Sequence, residues 1–214
     1  MAGTVIVFCA HSDDQVLGPG GAVAALAQGG YEVVSVVFSN GELTHPWVKR
    51  RVTAEIREAE AVEADKVLGG REVLFLRIND SGLAQESQAQ WVMDKLQGLI
   101  AHYRPVKIFT HSADDWHPAH RAVFHAAVQA LDKAGLKCDL YSFDIWNPFN
   151  IKGRNEPKLY VDVTGTFSLK LKALKCFRSQ WVSMVSLLWS VYLRAFLNGL
   201  DFGCRYAERF YKVR

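Results

Sequence analysis

Residues 5–21 read VIVFCAHSDDQVLGPGG. An unbroken run of strand formers, Val5 to Ala10, stops at a histidine; two aspartates follow within three positions, and glycines lead into an apolar helical stretch. A strand that is apolar on both faces belongs inside a parallel sheet, and parallel neighbours require helical crossovers. The rest of the chain keeps that alternation. Strands are predicted at 4–10, 32–38, 71–78, 106–111, 139–146 and 158–164, with helices at 22–30, 48–68, 87–103 and 119–135 between the earlier ones. Residues from about 165 to 214 read as a helical tail. The pattern predicts a single α/β domain over 1–214, a Rossmann-like, mostly parallel sheet with helices on both faces.

Composition narrows the function. The 214 residues, half of them apolar, can bury a substantial core, and a net charge of +3 is too small to argue for nucleic acid. From Gly165 onward nine Lys or Arg face two Asp or Glu, so the tail carries +7 and the remainder −4. Solvated helix faces explain that asymmetry more simply than an anionic partner. Cys9, Cys138, Cys176 and Cys204 form no C-x-x-C pair, which favours reduced thiols and a cytoplasmic protein. No basic segment precedes the first apolar run, so a secretory signal is not expected. The apolar stretch 181–197 is shorter than the ~20 residues of a bilayer span and is interrupted by Ser183, Ser186, Ser190 and Arg194. It reads as a buried or subunit-interface helix, leaving a homo-oligomer open and membrane contact a minor reading.

In a doubly wound sheet, ligands sit beyond the carboxyl ends of the strands where the order reverses. With Rossmann order, strands one and four are neighbours there. Strand one ends at Ala10-His11-Ser12-Asp13-Asp14, and strand four leads into His111-Ser112-Ala113-Asp114-Asp115-Trp116-His117-Pro118-Ala119-His120. Two His/Asp clusters therefore converge on one crevice. Imidazole and carboxylate donors without thiolate suit a Zn²⁺-like divalent ion, and three protein ligands leave a position for water. Ligand type alone does not separate zinc from iron or manganese. A carboxylate beside that water could take its proton and return it to a leaving group.

These residues carry a family resemblance. AHSDD before a glycine-rich turn resembles the AHPDD(E) signature of the LmbE-like/PIG-L family of zinc-dependent N-deacetylases, and HPAH at 117–120 resembles its HP(D)H motif. Arg57-x-x-Glu60-x-x-x-Ala64-x-x-x-Leu68-Gly69, Asp80-Ser81-Gly82 and the terminal YAERF (206–210) are similar to further family stretches. The resemblance implies His11, Asp14 and His120 as zinc ligands, Asp13 as the acid/base and His117, protonated, as the group that offsets the oxyanion. It implies Arg57 and Asp80 as contacts to substrate hydroxyls, and removal of the acetyl group from a small N-acetylglucosamine-type sugar or conjugate. Ser12, Gln15 and Ala119 stand where the family has proline, glutamate and aspartate, so the surroundings carry less negative charge.

Plainer readings compete at each position. Asp13 and Asp14 could cap the following helix. His111 reads as a core or supporting histidine, and Asp114 and Asp115 as caps or as holders of an imidazole N–H. Arg57 and Glu60 share a helix face and could pair with each other. GPGG at 18–21 lacks phosphate-loop spacing. Hydrolysis of another amide or ester, or a non-catalytic sugar- or nucleotide-binding module, are the alternatives to deacetylation.

Overall fold

Every residue from Val5 to Ala10 is sealed from solvent, and their side chains divide between two cores. Val5, Val7 and Cys9 face one, Ile6, Phe8 and Ala10 the other, which is the period-two alternation of a strand covered on both sides. A computed structural model describes residues 2–39, 41–42, 49–145 and 156–214. Among them the chain runs β1 (Thr4–Cys9), α1 (Asp14–Leu17), α2 (Gly20–Gln28), β2 (Glu32–Ser39), α3 (Arg50–Leu68), β3 (Glu72–Ile78), α4 (Leu83–Glu86), α5 (Gln90–Tyr103) and β4 (Lys107–His111). It continues through α6 (Pro118–Ala134), β5 (Asp139–Phe143), β6 (Lys158–Asp162), α7 (Phe167–Leu174), α8 (Trp181–Phe202) and β7 (Ala207–Lys212).

The sheet order is β3-β2-β1-β4-β5-β7-β6. The first five are parallel, so β1 and β4 lie side by side with their carboxyl ends together, Val5 level with Lys107 and Val7 with Phe109. That is the predicted fold class and the predicted switch point. Residues of α2, α3, α7 and α8 fill the core on the Val5 side, and residues of α5 and α6 fill the core on the Ile6 side. Phe8→Ala would cost about 3–5 kcal/mol, because a large ring in a sealed strand leaves a cavity that its neighbours cannot fill. Most of the loops at 39–47 and 147–157, with His45, lie outside the described residues.

The predicted helical tail is only partly right. After α7 and α8 the chain returns as β7, which inserts antiparallel between β5 and β6. YAERF belongs to this return, and its Glu208 explains the glycines of the opening stretch. The Glu208 carboxylate accepts N–H bonds from Gly21 and Ala22 at 2.9 and 2.8 Å, neutralising the exposed donors at the start of α2. Lys170, from α7, donates to the same carboxylate at 2.6 Å and to the carbonyls of Leu17 and Gly18 at 3.1 and 2.8 Å. A Cβ at Gly21 would press on Val163 and on the Glu208 carboxylate. Gly21 thus makes room for a carboxylate of the chain itself, while a Cβ at Gly18 would run into Phe143; the strand periodicity of 207–212 was hidden by the helical pattern before it.

Candidate metal centre

The carboxyl end of β1 closes into a tight turn by two reciprocal bonds: the His11 N–H donates to Asp14 Oδ2 at 2.7 Å, and the Asp14 N–H to the His11 carbonyl at 3.4 Å. From the neighbouring strand, His111 ends β4, and a short loop delivers His117 as the N-cap of α6, with Pro118 at the first helical position. One turn into α6, His120 points back at the β1 turn. Its Nε2 lies 3.5 Å from Asp14 Oδ1, and His11 Nδ1 lies 3.7 Å from Asp14 Oδ2. One donor atom each from His11, Asp14 and His120 falls within 4.8 Å of the others. A tetrahedral ion with bonds of about 2.0–2.2 Å places its ligand atoms roughly 3.3–3.6 Å apart, so the set fits a small divalent ion.

A second observation supports that fit. His120 Nε2 is fully buried with no hydrogen-bond partner, a state that costs free energy until a cation or a donor occupies the space it faces. Its other nitrogen, Nδ1, lies 3.2 Å from Asp115 Oδ1. Asp115 is itself fixed by N–H bonds from His117 (2.9 Å) and Ile145 (3.3 Å). Burial pushes the Asp115 carboxyl up, but hydrogen bonding to His120 and that ring's charge outweigh it, and the group is held down to about 2. An anionic Asp115 fixes the proton on Nδ1 of His120 and leaves the Nε2 lone pair toward Asp14 and His11. Of the two sequence readings of Asp115, holder of an imidazole is the one the geometry favours.

His111 lies beneath, fully buried and stacked on His120 with centroids 3.9 Å apart. Its Nε2 accepts the Ala10 N–H at 3.0 Å and sits 3.1 Å from Asp14 Oδ2. A second grouping, His111 with Asp115 and His120, also has metal-like spacing. All three of its members are sealed, whereas His11 reaches solvent; an ion that works on substrate needs an open position, which favours the first grouping.

The adjacent aspartates are driven apart electrostatically. Burial raises both, but the surrounding imidazoles of His120, His111 and His11 outweigh it at Asp14 and pull that carboxyl well below the usual carboxylate range. Asp13 is raised by burial and by the Asp14 charge, with Arg57 and His11 offsetting only part of that. His117 is pushed down to about 4 by burial first and then by the neighbouring His11 and His120. Its Nδ1 accepts the Ala119 N–H at 3.3 Å, so the neutral ring carries its proton on Nε2. Burial and the neighbouring imidazoles thus favour a neutral His117 near pH 7, where the family resemblance implied a protonated ring.

Arg57 and Asp80 meet on the segment after β2. Arg57, buried on α3, lies 3.6 Å from Asp13 through Nη2, donates through Nε to Ser12 Oγ at 3.2 Å and through Nη1 to the Gly41 carbonyl at 3.0 Å. Asp80 accepts the Gly41 N–H at 3.2 Å and a bond from the Ser39 hydroxyl, while its own N–H donates to Glu42 at 3.0 Å. Glu60 instead accepts from the Ser179 N–H and hydroxyl. Gly41, which the sequence reading passed over, has φ +65°, and a Cβ there would run into the Arg57 guanidinium. Its signal was weak, an Asn-Gly pair at a strand end. Of the three departures, Ser12 takes the Arg57 bond, Ala119 donates its backbone N–H to the capping His117 ring, and Gln15 turns into the protein, donating to the Ala61 carbonyl at 3.1 Å.

Residues 6–131, more than half of the chain, match the family model described as GlcNAc-PI de-N-acetylase (PIG-L). The chain is 28% identical to the diacetylchitobiose deacetylase of Thermococcus kodakarensis over 92% of its length and 78% of that protein. It is also 28% identical to the 4-oxalmesaconate hydratase of Pseudomonas putida, over 91% of this chain and 79% of that one. The solved 4-carboxy-2-hydroxymuconate hydratase of Pseudomonas putida superposes with a TM-score of 0.84 at 24% identity, covering 99% of this chain and 96% of that one, a likeness of fold. With its paired His/Asp motifs at neighbouring strand ends and its family model spanning both, this chain belongs to the PIG-L family.

Proposed function

We propose that the chain is a metal-dependent hydrolase that removes the acetyl group from a small N-acetylated sugar or sugar conjugate in the cytoplasm. His11, Asp14 and His120 would hold one divalent ion, with zinc the best match to the donor set. That ion, when bound, supplies Lewis acidity toward the acetyl carbonyl and lowers the pKa of water at its open position. The observation that carries the reading is geometric: one donor atom each from His11, Asp14 and His120 lies within 4.8 Å of the others, and the adjacent Asp13, raised by burial and by the Asp14 charge, is the stronger base beside them. Asp13 takes a proton from the attacking water, and Arg57 at 3.6 Å keeps the carboxylate oriented. The water oxygen bonds to the carbonyl carbon, and the neutral His117 donates its Nε2–H to the oxyanion. Asp13 then passes its proton to the nitrogen as the C–N bond breaks, giving acetate and an amine. Arg57 and Asp80, gathered on the Ser39–Glu42 segment, would shape the sugar side of the site.

Acetate release from a panel of acetamido sugars by metal-loaded protein tests this. Turnover of at least one sugar that disappears on chelation and returns with zinc is expected; no release from any metal-loaded preparation overturns the proposal.

The equal identity to a hydratase supports a second reading, water addition across a carbon–carbon double bond by the same ion and carboxylate. A tricarboxylate substrate, as the name 4-carboxy-2-hydroxymuconate describes, would call for cations turned to the site. Among the described residues Arg57 is directed at Asp13, Ser12 and Gly41, and Arg121 donates to the Asp115 and Trp116 carbonyls, which favours deacetylation. Loss of ultraviolet absorbance from unsaturated tricarboxylates, without acetate release from the sugars, would reverse that preference.

A further inference from the structure

Helix α8 lies on the body of the protein through Leu187, Val191 and Ala195, which are buried, and turns an apolar face outward along its whole length. Five aromatic residues on it, Trp181, Trp189, Tyr192, Phe196 and Phe202, are between 42% and 66% exposed. Val182, Val185, Leu188, Leu197 and Leu200 are between 37% and 64% exposed. Spacings of three and four residues set most of these along one stripe, and the 22-residue helix extends it over about 33 Å. Alongside runs a groove of about 460 Å³, walled by Leu171 and Leu174 of α7, by Phe177, and by Trp181, Val185 and Tyr192 of α8. Each molecule therefore carries both a ridge and a groove.

The area decides what covers this face. With aromatic side chains at roughly 200 Å² each, the exposed fractions amount to about 500 Å². The aliphatic side chains, at roughly 100 Å² each, add about 300 Å². About 800 Å² on one molecule exceeds the largest apolar patch of an ordinary monomer and equals one side of a standard-size specific interface. Charge favours a copy of the same chain. The only charged residues of α8 are Arg194 and Asp201. Arg194 turns inward to the Asp144 carbonyl, and Asp201 lies 3.6 Å from Arg209. Of the two cations at the groove, Lys175 and Arg178, the second pairs with Glu63 at 3.2 Å, so the stripe itself presents no unpaired charge to a second copy. A helix lying in a bilayer surface would carry a row of cations along its polar side, whereas α8 itself carries only the inward-turned Arg194, and no described helix is long and apolar enough to cross a membrane.

We infer that α8 is a homodimer interface, its stripe pairing with α8 of a second copy about a two-fold axis so that the ridge of each molecule enters the groove of the other. Sedimentation velocity across the micromolar range tests it. A dimer is expected for the unaltered chain, and Val185→Glu or Leu200→Glu, remote from the metal centre, should weaken association at least about 30-fold while leaving metal content unchanged. A monomer throughout the range overturns the inference, as does a dimer indifferent to both substitutions. Should the variants misfold, hydrogen exchange of the unaltered protein at low and high concentration decides instead. Protection rising with concentration over 181–200 supports the interface, and protection confined elsewhere refutes it. Co-flotation of a monomer with liposomes would assign the face to lipid and reject the dimer.

Discussion

Asp115→Asn separates the ion-holding role of the second cluster from its contribution to folding. In the parent, one carboxylate oxygen faces His120 Nδ1 at 3.2 Å and accepts the His117 N–H at 2.9 Å, and the other accepts the Ile145 N–H at 3.3 Å. An asparagine can match only one side. With its oxygen toward His120, its NH₂ opposes the Ile145 N–H, donor against donor. The folded-state carboxyl titrates at about 2, against about 4 for an ordinary aspartate, which corresponds to about 2–3 kcal/mol of preference for the anion in the folded chain. The sign follows from the depression: that stabilisation is complete above about pH 4 and is lost as the pH falls through about 2, so at neutral pH the substitution should remove about 2–3 kcal/mol. For a chain of this length the Tm of the metal-free protein should fall by about 5–10 °C. Loss of the anion that fixes the His120 tautomer should also weaken metal affinity 10–100-fold, measured by chelator competition. Unchanged affinity beside a full drop in Tm would refute the orienting role and leave Asp115 a merely structural cap.

Three further outcomes rest on separate parts of the structure. Asp13→Asn should lower kcat by about 10²–10⁴-fold with metal content retained, whereas His11→Ala and His120→Ala should lose the metal, as elemental analysis after dialysis would show. Because burial and Asp14 raise the Asp13 carboxyl, the parent should also lose activity on acidification at a pH above that of an ordinary carboxylate. Glu208→Gln leaves the Lys170 ammonium buried without its counter-charge and should destabilise the chain by about 3–5 kcal/mol in denaturant unfolding. Asp65, buried with one oxygen lacking a partner, titrates at about 7 through burial and then the Glu72 charge. Its folded form binds the proton more tightly than the unfolded chain does, so stability falls between about pH 4 and 7, and Asp65→Asn should raise stability by about 2–4 kcal/mol at pH 8 and little at pH 4.

Much of the architecture was legible because each β strand of the parallel half announces itself by local composition. VIVFCA needs no partner to be read as buried on both faces, and a parallel order then forces its end beside that of KIFTH. The convergence of His11 and Asp14 on His120, over a hundred residues away, follows from topology rather than from any local signal. What escaped was non-local. Nothing in AERFYK distinguishes a strand entering between β5 and β6 from the end of a helical tail, because its pairing depends on Lys158–Asp162 offering a free edge. Gly41 is invisible for a related reason: its φ is demanded by an arginine sixteen residues onward.

The late strand also accounts for the fixity of the early site. The turn that carries Asp13 and Asp14 sits directly before Leu17 and Gly18, and their carbonyls are held by Lys170 while the next amides are held by Glu208. Hydrogen bonds alone would leave that turn about as stable as any exposed loop, since each contributes only about 1 kcal/mol. A buried ion pair behaves differently: neither partner can leave without stranding the other's charge, so the turn, α7 and β7 must open together or not at all. The two carboxylates, whose proposed roles as ligand and base depend on about an ångström of placement relative to three imidazoles, are thereby tied to the cooperative core rather than to a loop.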